Sequence, residues 1–150
     1  LEWVGDGEMR SEVESRIIKH GLEKKVRLYG ALGHREALSV IAQSSVFAQH
    51  SVTSVSGDQE GLPVAILEAI TLGLPVVSTI HSGIPEAIED GVNGFLVREH
   101  DFESMAERMI ELLRGDRALT MQTSSGKCFD LESRVEKIAR ILCNLNPRKV

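Results

Sequence analysis

Short apolar runs alternate with amphipathic stretches along the chain, and glycine or proline marks most of the changes. Leu1 to Gly5 is an apolar run ending at Gly5-Asp-Gly7, which predicts a strand entering a turn. Met9, Val13, Ile17 and Ile18 recur at helical spacing, so residues 9–20 are expected to form a helix stopped by Gly21. Val26-Arg-Leu-Tyr predicts a second strand ending at Gly30. Residues 34–43 predict a helix with Ala37, Leu38 and Ile41 inward, and Val46-Phe-Ala-Gln a third strand. His50 to Gln59 is polar and rich in serine, and reads as a loop. Pro63 to Leu72 predicts a helix that buries Val64, Leu67 and Leu72 and ends at Gly73. Pro75-Val-Val-Ser-Thr79 is nearly all apolar, as expected of a parallel strand covered on both faces. His81-Ser-Gly-Ile-Pro-Glu86 is a glycine turn into a helix with Pro85 at its first position and Glu86 as a first-turn acid. Asp90-Gly91 and Asn93-Gly94 are turn dipeptides ahead of a strand at Phe95-Leu-Val97. Three helices are expected to follow. They are Phe102 to Arg114 (Met105, Ala106, Met109, Ile110 and Leu113 inward), Arg117 to about Cys128, and Leu131 to about Leu145.

Strands alternating with helices at this spacing mean an α/β fold with a mainly parallel sheet. The pattern divides the chain into an α/β core over about 1–97 and a helical part over 98–150. In open α/β sheets ligands lie outside the carboxyl ends of the strands. The loops that leave a strand and open a helix are therefore the places to look for chemistry.

One such place is Asp58-Gln-Glu-Gly-Leu-Pro-Val-Ala-Ile-Leu-Glu68. Pro63 suits a helix start, because the first helical residue needs no N–H. Gly61 lets the chain approach a ligand closely. The free N–H groups and positive dipole end at Gly61, Leu62, Pro63 and Val64 favour a phosphate, although Pro63 itself cannot donate. Glu60 in the loop and Glu68 in the helix flank this anion site, with Cα atoms expected roughly 10 Å apart. That separation suits two groups holding opposite ends of an extended, phosphate-centred ligand. Either acid alone has an ordinary structural reading, Glu60 as a charge at a helix N-terminus and Glu68 as a solvated helix residue. The combination of acid, Gly-x-Pro helix start and second acid is more specific. Asp58-x-Glu60 has the look of a metal-binding pair, but no further acid or histidine completes an oxygen-rich site, so no metal is expected. Gly5-x-Gly7 lacks the third glycine of a dinucleotide fingerprint, since Arg10 stands in its place. His34 reads as a surface or first-turn residue, and His50 and the loop serines as a rim without an assigned role.

Glu60-x7-Glu68 resembles the paired-glutamate motif of retaining glycosyltransferases of the GT-B fold, in the large family that includes many lipopolysaccharide, capsule and exopolysaccharide enzymes. Val4-Gly-Asp-Gly7, Val26-Arg-Leu-Tyr-Gly30, Glu60-Gly-Leu-Pro63, Leu67-Glu-Ala-Ile-Thr-Leu-Gly-Leu-Pro-Val-Val-Ser-Thr79, Gly83-Ile-Pro-Glu86 and Asp90-Gly-Val-Asn-Gly-Phe-Leu-Val97 follow that family's order and spacing. The resemblance is good over about residues 1–115 and generic beyond. It departs at Ser82-Gly83, where the family often has Gly-Gly. It implies the Rossmann-like, doubly wound sheet of a GT-B C-terminal domain, without the family's first and central strand. It implies a nucleotide-diphosphate sugar as donor substrate, no cofactor and no metal. It implies that Glu60 lies by the donor sugar, that Glu68 holds the two ribose hydroxyls, that backbone N–H groups at Gly61, Leu62 and Val64 bind sugar and phosphate, and that the base lies near Gly30, Ala31 and Leu32. The acceptor, a saccharide or lipid-linked glycan, belongs to the preceding domain in this family, so the fragment alone is expected to be inactive. An epimerase or phosphorylase of the same fold, or a non-catalytic binding module, are the competing readings.

Composition changes the picture only at its edges. A length of 150 residues suits one domain, and 42% hydrophobic residues can build a core. A net charge of −5 argues against nonspecific nucleic-acid binding. No apolar run reaches the ~18 residues of a membrane span, and no signal peptide is visible. Cys128 and Cys143 fit no metal spacing and read as reduced thiols in a cytoplasmic protein. The resemblance allows peripheral association with the cytoplasmic face of the inner membrane. The chain begins with Leu1 inside a strand, so a piece of a longer protein is expected.

Overall fold

A computed structural model describes residues 1–114. The expected helices after Arg114 and both cysteines lie outside the described residues. The described chain runs β1 (Glu2–Val4), α1 (Arg10–Lys19), β2 (Arg27–Gly30), α2 (His34–Ala42), β3 (Phe47–Gln49), α3 (Val64–Thr71), β4 (Val76–Thr79), α4 (Ile84–Ala87), β5 (Gly94–Val97) and α5 (Phe102–Leu113). Each element expected in this range is present, with ends moved by a residue or two, as element ends commonly are.

Every strand ladder is parallel. The strands form two sheets, β1–β2 and β3–β4–β5. No ladder joins them among the described residues. The break separates the strands that the resemblance places on either side of a central strand.

β4 is the middle strand of its sheet and is buried at all four residues. That is why Val76-Val-Ser-Thr79 shows no apolar–polar alternation: both faces meet protein. Val76 joins Ile41, Ile66, Ala69, Leu74, Ile84 and Ile88 in one core. Val77, pointing the other way, joins Phe95, Val97, Met105 and Leu112 in a second. So α2, α3 and α4 cover one face of this sheet and α5 the other, which is a doubly wound arrangement.

Several inward faces differ from those expected. Helix α3 buries Ile66 and Ala69, whereas Val64 is 66% exposed, Leu72 is 45% exposed and Leu67 is half-buried. Val64-Ala-Ile-Leu-Glu-Ala-Ile-Thr is apolar on almost every side, so spacing does not select a face. In α5 the inward line is Met105, half-buried Met109 and Leu112, with Ala106, Ile110 and Leu113 exposed. The two lines have the same spacing one residue apart. Helix α1 buries nothing: Val13 and Ile17 are half-buried, and Met9 and Ile18 are exposed. Two strands alone give it little surface to pack on. Its expected stop is present, with Gly21 at φ +63° and the Leu22 N–H donating to Ile17 O at 2.9 Å. Pro85 is the second residue of α4 rather than the first, which falls to Ile84.

Candidate functional site

The candidate residues lie in the loops after β2 and β3 and in the first turns of the helices those loops open. At the start of α3, Pro63 precedes the helix instead of beginning it, with φ −60° and ψ 130°, and Val64 is the first helical residue. The backbone N–H groups of Gly61, Leu62 and Val64 have no acceptor among the described residues. Three undirected donors beside a helix N-terminus leave partial positive charge at this point, the kind of place that favours an anion, and make the stretch a candidate cradle. Leu62 offers only its backbone, because its side chain packs against the core. Pro63 is buried and Val64 stands on the rim. The loop after β4 backs this cradle, with the Gly83 N–H donating to Gly61 O at 3.2 Å.

Glu60 is exposed and has no hydrogen bond or ion pair among the described residues. Glu68 lies on the second turn of α3, its side chain 22% exposed, with Oε1 3.6 Å from His34 Nδ1. His34 is the first residue of α2 and is largely exposed, as expected of a first-turn residue. Its neighbour Glu68 was not legible in the spacing, because thirty-odd residues of chain separate them. Gly33 caps α2, its N–H donating to Glu36 Oε2 at 3.0 Å. The turn ahead of it begins at Gly30, buried at the end of β2 with φ +72°, where a Cβ would press on the Arg10 guanidinium at 2.8 Å. Ala31 is exposed and Leu32 half-buried. The structure therefore brings the end of the Gly30–Gly33 turn to Glu68 through His34, and sets Glu60 and Glu68 at successive points along the loop and helix that carry the anion cradle.

Asp58 points away from any partnership with Glu60. Its carboxylate accepts from Ser56 Oγ at 2.6 Å, and its N–H donates to Ser54 Oγ at 2.9 Å. Among the described residues, no three His, Cys, Asp or Glu side chains converge to hold a metal.

Two features were given no role by the sequence. The first is Ser82, whose φ is +44°. That is the conformation glycine tolerates best, which gives a backbone reason for the glycine that the resemblance implies here. The second is a pair at the carboxyl ends of β4 and β5. His81 is 2% exposed, and its Nδ1 lies 2.7 Å from Glu99 Oε1. Glu99 also accepts from the Thr53 N–H at 2.9 Å and from Thr53 Oγ1 at 3.3 Å. These bonds, His81's foremost, hold the Glu99 carboxyl below the usual carboxylate range. Nearby, His50 packs its ring against Phe102 with centroids 4.7 Å apart. Burial, and then the proximity of His100, push its pKa down.

A parallel, doubly wound sheet with helices on both faces is a Rossmann-like arrangement. Residues 1–127 match the family described as Glycosyl transferases group 1, and the chain belongs to that family. It is 39% identical over 113 residues to the putative colanic acid biosynthesis glycosyltransferase WcaL of Salmonella typhimurium, covering 75% of this chain and 28% of that protein. It is 38% identical over 113 residues to the amylovoran biosynthesis glycosyltransferase AmsK of Erwinia amylovora, again covering 75% of this chain and 28% of that one. Among solved structures it is similar to Anabaena Alr3699/HepE in complex with UDP-glucose, with a TM-score of 0.74 and 27% identity over 95% of this chain and 40% of that one. The fold is that of the GT-B C-terminal domain. The matched stretch spans little more than a quarter of the length of these two curated relatives. No helix of the described residues is long and apolar enough to cross a membrane.

Proposed function

We propose that this chain is the donor-binding part of a retaining, metal-independent glycosyltransferase that takes a nucleotide-diphosphate sugar. The observation that carries the reading is the start of α3. Unpaired N–H groups at Gly61, Leu62 and Val64 lie between an exposed, unbonded Glu60 and a half-buried Glu68. In this reading Glu68 accepts hydrogen bonds from the two ribose hydroxyls, since a carboxylate's two oxygens suit a vicinal diol. The Gly30, Ala31 and Leu32 backbone holds the base. The cradle takes the diphosphate and sugar oxygens. Glu60 positions the sugar and stabilises the positive charge that grows as the bond from anomeric carbon to diphosphate oxygen loosens. An acceptor hydroxyl, held by another domain of the full protein, forms the new bond on the face from which the nucleoside diphosphate departs, and the departing diphosphate oxygen takes its proton. The names of the relatives, which concern colanic acid and amylovoran biosynthesis, support a glycan acceptor.

The test uses the full-length protein, screened with UDP-, GDP- and ADP-sugars. With the donor that turns over, Glu60→Gln is expected to lose mostly kcat. Glu68→Gln is expected to lose mostly donor affinity, by about 1.5–3 kcal/mol for a hydrogen bond to a charged group. Near-normal kinetics in both would remove the assignment. Full loss of activity with EDTA, restored by manganese, would remove its metal-free form.

A further inference from the structure

Glu60 makes no contact that would hold it, yet a group that stabilises a transition state must be fixed in place. The residues on either side of it supply the fixing. Gln59 Nε2 donates to Thr53 Oγ1 at 3.2 Å. Gly61 O accepts from the Gly83 N–H at 3.2 Å. Both anchors trace to the turn after β4. Thr53 is held by Glu99, and Glu99 is held by His81, two residues before Gly83.

The loop after β3 is also pinned at every second residue. Ser78 Oγ donates to Gln49 O at 2.7 Å and Thr79 Oγ1 to Ser51 O at 2.6 Å, and Glu99 takes the Thr53 N–H. Beyond Thr53 the chain closes on itself in a turn, with Ser54 N–H to Asp58 O at 3.0 Å, and returns at Gln59 to Thr53. Thr53 is thus the last fixed point before the turn and the first after it. An ionised Glu99 accepts only, so His81 Nδ1 donates in the 2.7 Å bond, and its Nε2 is buried without a partner among the described residues.

We propose that His81 and Glu99 are positioning residues for Glu60, setting through Thr53 and Gln59 where its carboxylate meets the donor sugar. This rests on the reading of Glu60 given above. A brace of this kind acts on the transition state more than on donor binding, because Glu68, the Leu62 and Val64 N–H groups and the Gly30–Leu32 turn, to which most of the donor binding is assigned above, lie outside the braced residues 53–61.

The experiment compares full-length wild type, His81→Phe, Gln59→Leu, Glu60→Gln and the two double variants carrying Glu60→Gln. Each is assayed with the donor that turns over best in the screen above. His81→Phe and Gln59→Leu are each expected to lower kcat by about 10- to 100-fold, as for a reacting group displaced by about 1 Å. Donor KM is expected to move by less than about threefold. In the Glu60→Gln background neither substitution should lower kcat further, a non-additivity that a general loss of structure would not give. Additive losses, or unchanged kcat in both single variants, would overturn the proposal. If Glu60→Gln itself leaves kcat intact, the site reading has failed instead. Gln59 is exposed, so its variant remains informative if His81→Phe does not fold. Amide hydrogen exchange gives a readout independent of turnover. Either variant should speed exchange over residues 53–61 and leave β4 unchanged, and unaltered exchange there would overturn the brace.

Discussion

The two sheets are built to the same strand–helix pattern and packed very differently. β1 and α1 contain no buried residue, whereas β4 contains no exposed one. The β3–β4–β5 sheet has helices on both faces and two apolar cores. The β1–β2 pair has α1 beside it and leaves Trp3 at 47% and Met9 at 62% exposure. The candidate site is divided along the same line. Glu60, the cradle and Glu68 stand on the packed piece, and the Gly30–Leu32 turn assigned to the base stands on the thin one. The proposed sugar and phosphate end is therefore held by a rigid frame. The proposed base end depends on a piece with little buried area to resist local opening.

The largest expected effect tests that contrast directly. Ile66 is 0% exposed in the core under α3, and Ile18 is 65% exposed on α1. In the full-length protein Ile66→Ala should lower stability by about 2–5 kcal/mol, the usual result of emptying a packed site. Ile18→Ala should stay within about 0.5 kcal/mol. Urea unfolding measures both. Equal losses would mean that α1 packs on something in the full protein as firmly as α3 does here.

A smaller effect comes from acid. On the packed piece, His50, Glu99 and Asp101 all have lowered pKa values. For His50 the causes are burial and then His100. For Glu99 they are the bonds from His81 and Thr53, and for Asp101 the bonds from the Ser104 N–H and hydroxyl. In each case the unfolded chain binds protons at higher pH than the folded one, so stability is lost as pH falls. The His50 contribution should begin to fade below about pH 6.5 and those of the carboxylates below about pH 4. On the thin piece the Tyr29 hydroxyl is raised, by burial and by its bond to Glu2, and acts only in alkali. Thermal unfolding across pH should show an acid limb that His50→Gln shortens at its neutral end. A limb unchanged by that substitution would mean that His50 is solvated in the working protein.

Much of this fold was legible because β4 and the glycine stops leave strong local marks. An unbroken Pro75-Val-Val-Ser-Thr79 can only be a strand covered twice, and Gly21 took the left-handed turn that ends α1. The faces of α3 and α5 were not legible. Near-uniform apolarity in one, and two equivalent lines in the other, leave the choice to tertiary packing. The helix start after Pro63 could be read because a glycine, a proline and an apolar helical run lie within a few residues of one another. Its supports could not. His81 and Glu99 are 18 residues apart, and Glu99 and Thr53 are 46 apart. Neither spacing has a local signature, and only the parallel order of β3, β4 and β5 brings their ends together.

The smallest expected effect lies in the turn that links the brace to the cradle. Ser82 holds φ +44° between His81, fixed by Glu99, and Gly83, which donates to Gly61 O. A left-handed conformation costs an L-residue about 1–2 kcal/mol. Glycine removes that cost but gives the unfolded chain more freedom, worth about 0.4–1 kcal/mol in the opposite direction. Ser82→Gly should therefore stabilise the full-length protein by roughly 0.5–1 kcal/mol. Ser82 is exposed and its hydroxyl has no partner among the described residues, so kcat and KM should not change. Urea unfolding and donor turnover, measured on the same preparation, check both halves. A stabilised variant with unaltered kinetics would show that the turn stores strain that Glu60 does not need. A variant with lower kcat would show that the rigidity of serine at this position helps to hold the anchor at Gly83.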